Sequence, residues 1–264
     1  MRSILLSAVL LSACTFGHSP LDVHIYGEEF IEAGIPAEVF ADAWALRFDK
    51  FLVSVGEVEV TRAGAEGGVY ARNYQIFDLT RPSDGAGHEV ASTPVVDGQY
   101  DDTQFVVAPA ADAVAGNASE ADLELMRAGG HSVYVAGEAT KGDVTMRFGW
   151  GFATRTSYTR CESLAEVVGN VMANVELTIH GDHLFYDDLF AEEPAVRFDL
   201  VAGADADGDG EVTQAELVVV DLRPLENYQV GSTDIVDLWH FIEHQTTTLG
   251  HIDGEGHCEA SRDD

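Results

Sequence analysis

The chain has 264 residues, enough for one large domain or two small ones, and 46% of them are apolar, which excludes a disordered chain. It carries 14 Lys plus Arg against 46 Asp plus Glu, a formal charge of −32. That balance excludes a nucleic-acid backbone reader, which needs a basic patch to displace counterions, and disfavours charge-driven docking on anionic lipid. It favours cationic partners and hard metal ions such as calcium.

Residues 1–13 read as a cleaved signal peptide. Arg2 supplies a positive start, and the apolar run over 4–11 is too short to span a bilayer as a helix. The run ends in Leu11-Ser12-Ala13-Cys14. This resembles the lipobox of bacterial lipoproteins. The resemblance implies diacylglyceryl transfer to Cys14, cleavage before it, and a mature chain held on a membrane by acyl chains. By the sorting rules of such proteins, Thr15 in place of Asp points to the outer membrane or cell surface of the envelope. The alternative is an ordinary secretory signal with a chance Cys, and either reading exports the chain. Residues 14–21 then read as a tether, 22–189 as a β-rich domain, and 190–264 as a C-terminal segment packed on the same domain.

Strand signals dominate the body. The stretch 44–60 alternates, with a phase slip near Asp49–Lys50 that predicts a bulge or bend. Val69–Leu79 and Gln104–Ala108 are further strand candidates, and Ser132–Ala153 reads as a hairpin around Lys141-Gly142-Asp143. Asn174–Phe185 alternates again. Helices are few: Ser119–Arg127, with Asp122 placed for a capping box, and the amphipathic Ile235–His244. Many short strands joined by Gly-, Asp- and Ser-rich turns predict a mainly β fold, an antiparallel sandwich-like body with a few short helices.

Apart from Cys14, the cysteines are Cys161 and Cys258. In an exported chain the simplest reading is one disulfide, closing a loop of about 100 residues worth roughly 4–5 kcal/mol on the chain-entropy model. It would pin the tail beside Tyr158–Cys161. The alternative, two metal ligands, lacks a CxxC neighbour for either Cys.

Residues 205–216 read DADGDGEVTQAE. They resemble the calcium loop of an EF-hand, with Asp205, Asp207 and Asp209 on alternate ligand positions, Gly210 at the turn, Glu211 offering its carbonyl and Glu216 as the bidentate acid. The resemblance implies calcium. It also implies an incoming helix over Pro194–Gly203, although Val196, Phe198 and Leu200 alternate like a strand. The outgoing helix would be Gln214–Leu222, with a Thr213/Glu216 capping box and a stop at Pro224. Sensor EF-hands come in pairs, so a lone loop reads as a staple, not a switch.

Ten His is a high count. His180 and His183 bracket Gly181-Asp182, and a turn there would bring the two imidazoles together. His251 and His257 bracket a Gly-rich tail whose end Cys258 would fix. His240 and His244 share a helix face at a spacing that suits one metal. A single His is most often a surface or hydrogen-bonded residue. Taken as a group, His180, His183, His251 and His257 form a candidate site for zinc or copper. There is no GxSxG, P-loop, GxGxxG or HExxH motif. Two functions stay open: a lipid-anchored calcium-binding module with a His-rich transition-metal site, or a metal-dependent enzyme using His180/His183 and His251/His257. The sequence names no protein partner.

Overall fold

The computed structural model describes residues 18–62, 67–169 and 171–263. Cys14 lies outside them, as do residues 15–17. The chain begins with β1 (His18–Tyr26) and a short α1 (Glu28–Glu32), then the long β2 (Ala45–Thr61). There follow β3 (Gly68–Ala71), β4 (Gln75–Asp78), β5 (His88–Val96), β6 (Gly98–Tyr100), β7 (Asp102–Val107) and β8 (Val114–Ala115). Helix α2 (Glu120–Gly129) leads to β9 (Val133–Lys141), β10 (Val144–Phe152), β11 (Arg155–Cys161), β12 (Ala165–Val167) and β13 (Ala173–Ile179). After a 3-10 turn (Asp182–Phe185) come α3 (Asp199–Ala202), β14 (Glu211–Val212), α4 (Gln214–Leu217), α5 (Leu238–Gln245), β15 (Gly250–Ile252) and β16 (Glu259–Asp263). The fold is mainly β, as the strand signals require.

One sheet has four strands in the order β15-β13-β1-β5; a larger one follows the path β14-β10-β9-β2-β7-β11-β16. Strand pairing is mostly antiparallel, but β1 and β13 run parallel. Residues 18–21, expected in a tether, belong instead to β1. Leu21 is fully buried there between Ala173 and Thr93, because its alternating side chains join the core.

The phase slip near Asp49 is a bulge: Phe48 pairs with Gly137 and Lys50 with the adjacent Ala136. The extra residue puts Phe48 and Phe51 on one side, rings 5.0 Å apart edge to face, where three-residue spacing would oppose them. Lys50 then reaches Asp78 (2.8 Å) and Asp122 (3.0 Å). The β9–β10 hairpin forms as read, with Gly142 at φ +60 in its turn. In α2 the Ser119/Asp122 capping box is complete.

Other expectations shift. Val69–Leu79 splits into β3 and β4, and the Asn174–Phe185 strand ends at Ile179. Of the expected helix Pro194–Gly203 only Asp199–Ala202 is helical, because Val196 forms bridges with Phe40 and Tyr186. Gln214–Leu222 is helical only to Leu217. The helix expected at Ile235–His244 starts at Leu238, where Asp237 accepts the His240 backbone N–H.

The main core runs from Leu21 to Ile252 and includes Phe198, Val212, Leu217, Trp239 and Phe241 of the C-terminal segment, while a smaller cluster gathers Leu52, Ile76, Ala113, Leu123 and Met126 under α2. Its aromatic centre joins the hairpin to the 3-10 turn: Phe185 lies 6.2 Å from Phe148 and 5.6 Å from Phe198. This packing fixes the turn that carries two of the histidines. Cys161 and Cys258 form a disulfide across 97 positions, and β16 pairs with β11 beside it.

Candidate metal centre

The site grows from three neighbouring strands. Parallel register matches Tyr26 of β1 with Thr178 of β13, so two residues further on Glu28 meets His180. Antiparallel register matches Thr178 with His251 of β15, and His180 donates its backbone N–H to Leu249. His180 and His251 thus stand on one face, ring centroids 4.3 Å apart. After His180 the chain turns at Gly181, where a Cβ would lie 2.7 Å from Ile31 and 3.1 Å from Phe48. That close approach swings His183 back to 4.9 Å from His180 and 5.3 Å from His251.

Carboxylates complete the cluster. Candidate ligand atoms of His180, Asp182 and His183 lie within 4.8 Å of one another, and so do those of His180, His251 and Glu255. His180 is common to both groups. Its Nε2 donates to the Gly254 carbonyl (3.3 Å), and its Nδ1 faces the Glu28 carboxylate at 3.3 Å. Glu28 holds a left-handed φ of +54, a strained conformation for a residue with a Cβ. His183 donates Nδ1–H to the Thr248 carbonyl (2.8 Å), since a carbonyl can only accept. Its Nε2 therefore keeps a lone pair.

Burial sets the protonation of the site. It pushes His183 down to about 3, helped by His180 and His251. It pushes His251 down to about 4, helped by His180 and His257. Both rings are neutral at pH 7 and can ligate. Burial also raises the carboxyls of Glu28 and Asp182, and with the Asp182 carboxylate it raises the Tyr186 phenol, 3.3 Å from that carboxylate. Two buried ligand-type atoms here, Asp182 Oδ1 and His251 Nδ1, have no hydrogen-bond partner. A buried polar atom without a partner is costly, and a bound ion is one remedy.

Of the four histidines expected together, the structure brings in His180, His183 and His251. His257 is exposed at the rim, its ring 5.6 Å from His251. His240 pairs with Asp237 (2.8 Å), and His244 packs against Phe190; neither joins a ligand group among the described residues. Glu28, Glu255 and Tyr186 were not singled out from the sequence. Glu28 lies 152 positions before His180, and only the parallel strand register reveals it. Glu255 sits between the two tail histidines and was readable as part of that bracket.

The loop 205–216 forms a second group. Oxygens of Asp205, Asp207 and Glu216 lie within 4.8 Å of one another. Asp205 accepts the N–H groups of Gly208 (2.8 Å) and Gly210 (3.1 Å), and Glu216 accepts those of Ala206 and Thr213 (2.9 Å each). The Thr213 and Ala206 backbone amides hold the Glu216 carboxyl below its usual range. Asp209 lies outside the group, its carboxylate accepting Glu211 N–H (2.8 Å). Glu211 opens β14, which pairs with β10 at Arg147 and Phe148. Val212 is fully buried, and its carbonyl accepts the Trp150 indole N–H (2.8 Å).

No protein family model matches the chain, and neither curated proteins nor solved structures give a match. Among the described residues no helix is long and apolar enough to cross a membrane.

Proposed function

We propose that the protein is an exported, lipid-anchored binding module with two ion sites. Zinc or copper occupies the His180/His183/His251 cluster, and calcium occupies the loop of Asp205, Asp207, Asp209, Glu211 and Glu216. In this reading the two larger sheets form a sandwich-like body, and residues 199–217 act as an EF-hand-type staple docked on β10. The observation that carries the first site is the crowding of three imidazole rings, centroids 4.3–5.3 Å apart, in two ligand groups that share His180; burial holds His183 and His251 neutral, and His251 Nδ1 and Asp182 Oδ1 have no partner. Nitrogen donors with one or two carboxylates suit zinc or copper, whereas the all-oxygen loop suits calcium. The disulfide fits an oxidising compartment. The anchor is supported by Leu11-Ser12-Ala13-Cys14 behind its apolar run.

Calorimetric titration of the EDTA-stripped protein tests the first site. Wild type should take up one zinc or copper ion per chain, and His251→Gln or His183→Gln should each weaken uptake about 100-fold or more, as loss of a ligand requires. Equal affinity in both variants, or no uptake by wild type, would overturn the assignment. A second reading, a metal-dependent enzyme, is favoured by a cavity of about 300 Å³ lined by His183, Tyr186, His251, Glu255 and His257. A catalytic ion keeps an open position. Azide added to the cobalt-substituted protein would change its visible spectrum if a position faces this cavity, and would leave it unchanged in a closed binding site.

A further inference from the structure

The connection between β12 and β13 breaks the rule that loop tips are small and polar. Val168, Val171 and Met172 are 54%, 67% and 64% exposed. Large apolar side chains gathered on one exposed turn mark a contact surface. Val171 N–H donates to the Val168 carbonyl (3.3 Å), and Gly169 takes φ +62. Gly169 is clamped from two sides: its N–H donates to the Asp97 carboxylate (3.1 Å), and its carbonyl accepts the hydroxyl of the buried Ser19. Val168, Val171 and Met172 stay exposed beside this clamp.

Ser19 also places this turn in the molecule. It lies in β1 two residues before Leu21, which pairs with Ala173 at the start of β13. Cys14 precedes His18 by four residues, and a fully extended chain covers at most about 3.6 Å per residue. The sulfur that would carry the acyl chains thus lies within about 14 Å of the start of β1. A bilayer holding those chains would lie within reach of the apolar side chains that flank Gly169.

We propose that Val168, Val171 and Met172 dock on the bilayer that holds the acyl chains of Cys14, entering the boundary between headgroups and acyl chains. This rests on the lipid-anchor reading of Cys14. The contact is apolar and not electrostatic. The exposed Asp97 bonds Gly169, the exposed Glu166 lies on β12 next to the connection, and the chain as a whole carries −32. Glu166 separates Val168 from the exposed Leu164 on the outward side of β12 and limits how deep the turn can go. The acyl chains supply attachment; the turn supplies a fixed orientation, which a flexible anchor alone does not give.

The test uses the full acylated chain on phosphatidylcholine vesicles. A nitroxide is placed at Val171→Cys and, as a control, at Leu125→Cys on α2. Collision with a water-soluble nickel chelate should fall about tenfold at 171 on vesicles, as shallow burial of an apolar face implies, and stay unchanged at 125. Adding Val168→Asp and Met172→Asp should restore access at 171 while the protein still floats with the vesicles. Flotation with an acylated Cys14 but equal nickel access at 171 and 125 would overturn the docking and leave the anchor standing. Absence of acyl mass on Cys14 would overturn both. Shielding at 171 that persists in Cys14→Ala without vesicles, with spin–spin broadening, would assign the turn to a second copy of the chain and overturn the membrane proposal.

Discussion

The buried imidazole of His183 makes stability depend on pH in a calculable way. In the fold its pKa is pushed down to about 3, and in the unfolded chain it returns to about 6.5. The native state therefore binds fewer protons than the unfolded state between those values. The contribution is intact above about pH 6.5 and is lost as the pH falls through the window toward the folded value. At pH 5 the loss is about 2 kcal/mol, from 1.5 pH units at 1.36 kcal/mol each. Glu28 and Asp182 act with the opposite sign. Their raised carboxyl pKa values mean that the fold takes up their protons before the unfolded chain does, which returns stability on acidification. Comparison with His183→Gln isolates the imidazole, since Gln keeps a donor for the Thr248 carbonyl. Urea unfolding of EDTA-treated protein at pH 7, 6 and 5 is the assay. Wild type should lose about 2 kcal/mol more than His183→Gln between pH 7 and pH 5. Parallel pH profiles for the two proteins would refute the claim that His183 is buried and neutral.

Two other perturbations act on the staples. Calcium at 100 times its dissociation constant should stabilise the fold by about 2.7 kcal/mol, read as a higher Tm in calorimetry against EDTA, and Glu216→Gln should abolish the shift. An unchanged Tm in millimolar calcium would remove the staple role of the loop. A non-reducing peptide map should join Cys161 to Cys258, and the double Ser variant should lose about 4–5 kcal/mol, because a bond across 97 positions restricts the unfolded chain strongly. Free thiols at both positions in the exported protein would contradict the pairing.

What was legible in the sequence was local. The Asp49 bulge, the β9–β10 hairpin, the Ser119/Asp122 and Thr213/Glu216 capping boxes and the turn between His180 and His183 each depend on residues a few positions apart. The helix entering the 205–216 loop is shorter than the EF-hand resemblance implies for a nearby reason. Val196 is drawn into bridges with Phe40 and Tyr186, and Phe198 is drawn into the aromatic centre, so strand-like alternation outweighs the helix start at Pro194. The strands β1 and β5 were not read, and with them went the parallel pairing that brings residue 28 to residue 180.

That pairing carries consequences for the chemistry as well as the fold. A parallel neighbour must be reached by a crossover, and here the crossover spans most of the chain, from β1 to β13. Its register delivers Glu28 to His180, while the antiparallel β15 delivers His251 from the other side. The disulfide next to β16 and the core packing of Trp239 and Phe241 hold the C-terminal segment that carries β15. The same strand β1 that positions the acid at one end holds Ser19 against the apolar turn at the other. An ion bound by His180, His183 and His251 would therefore tie β13, the 3-10 turn and β15 together at the end of β1 away from Cys14. Under the proposed anchor at Cys14, that end would lie farther from the membrane than the start of β1.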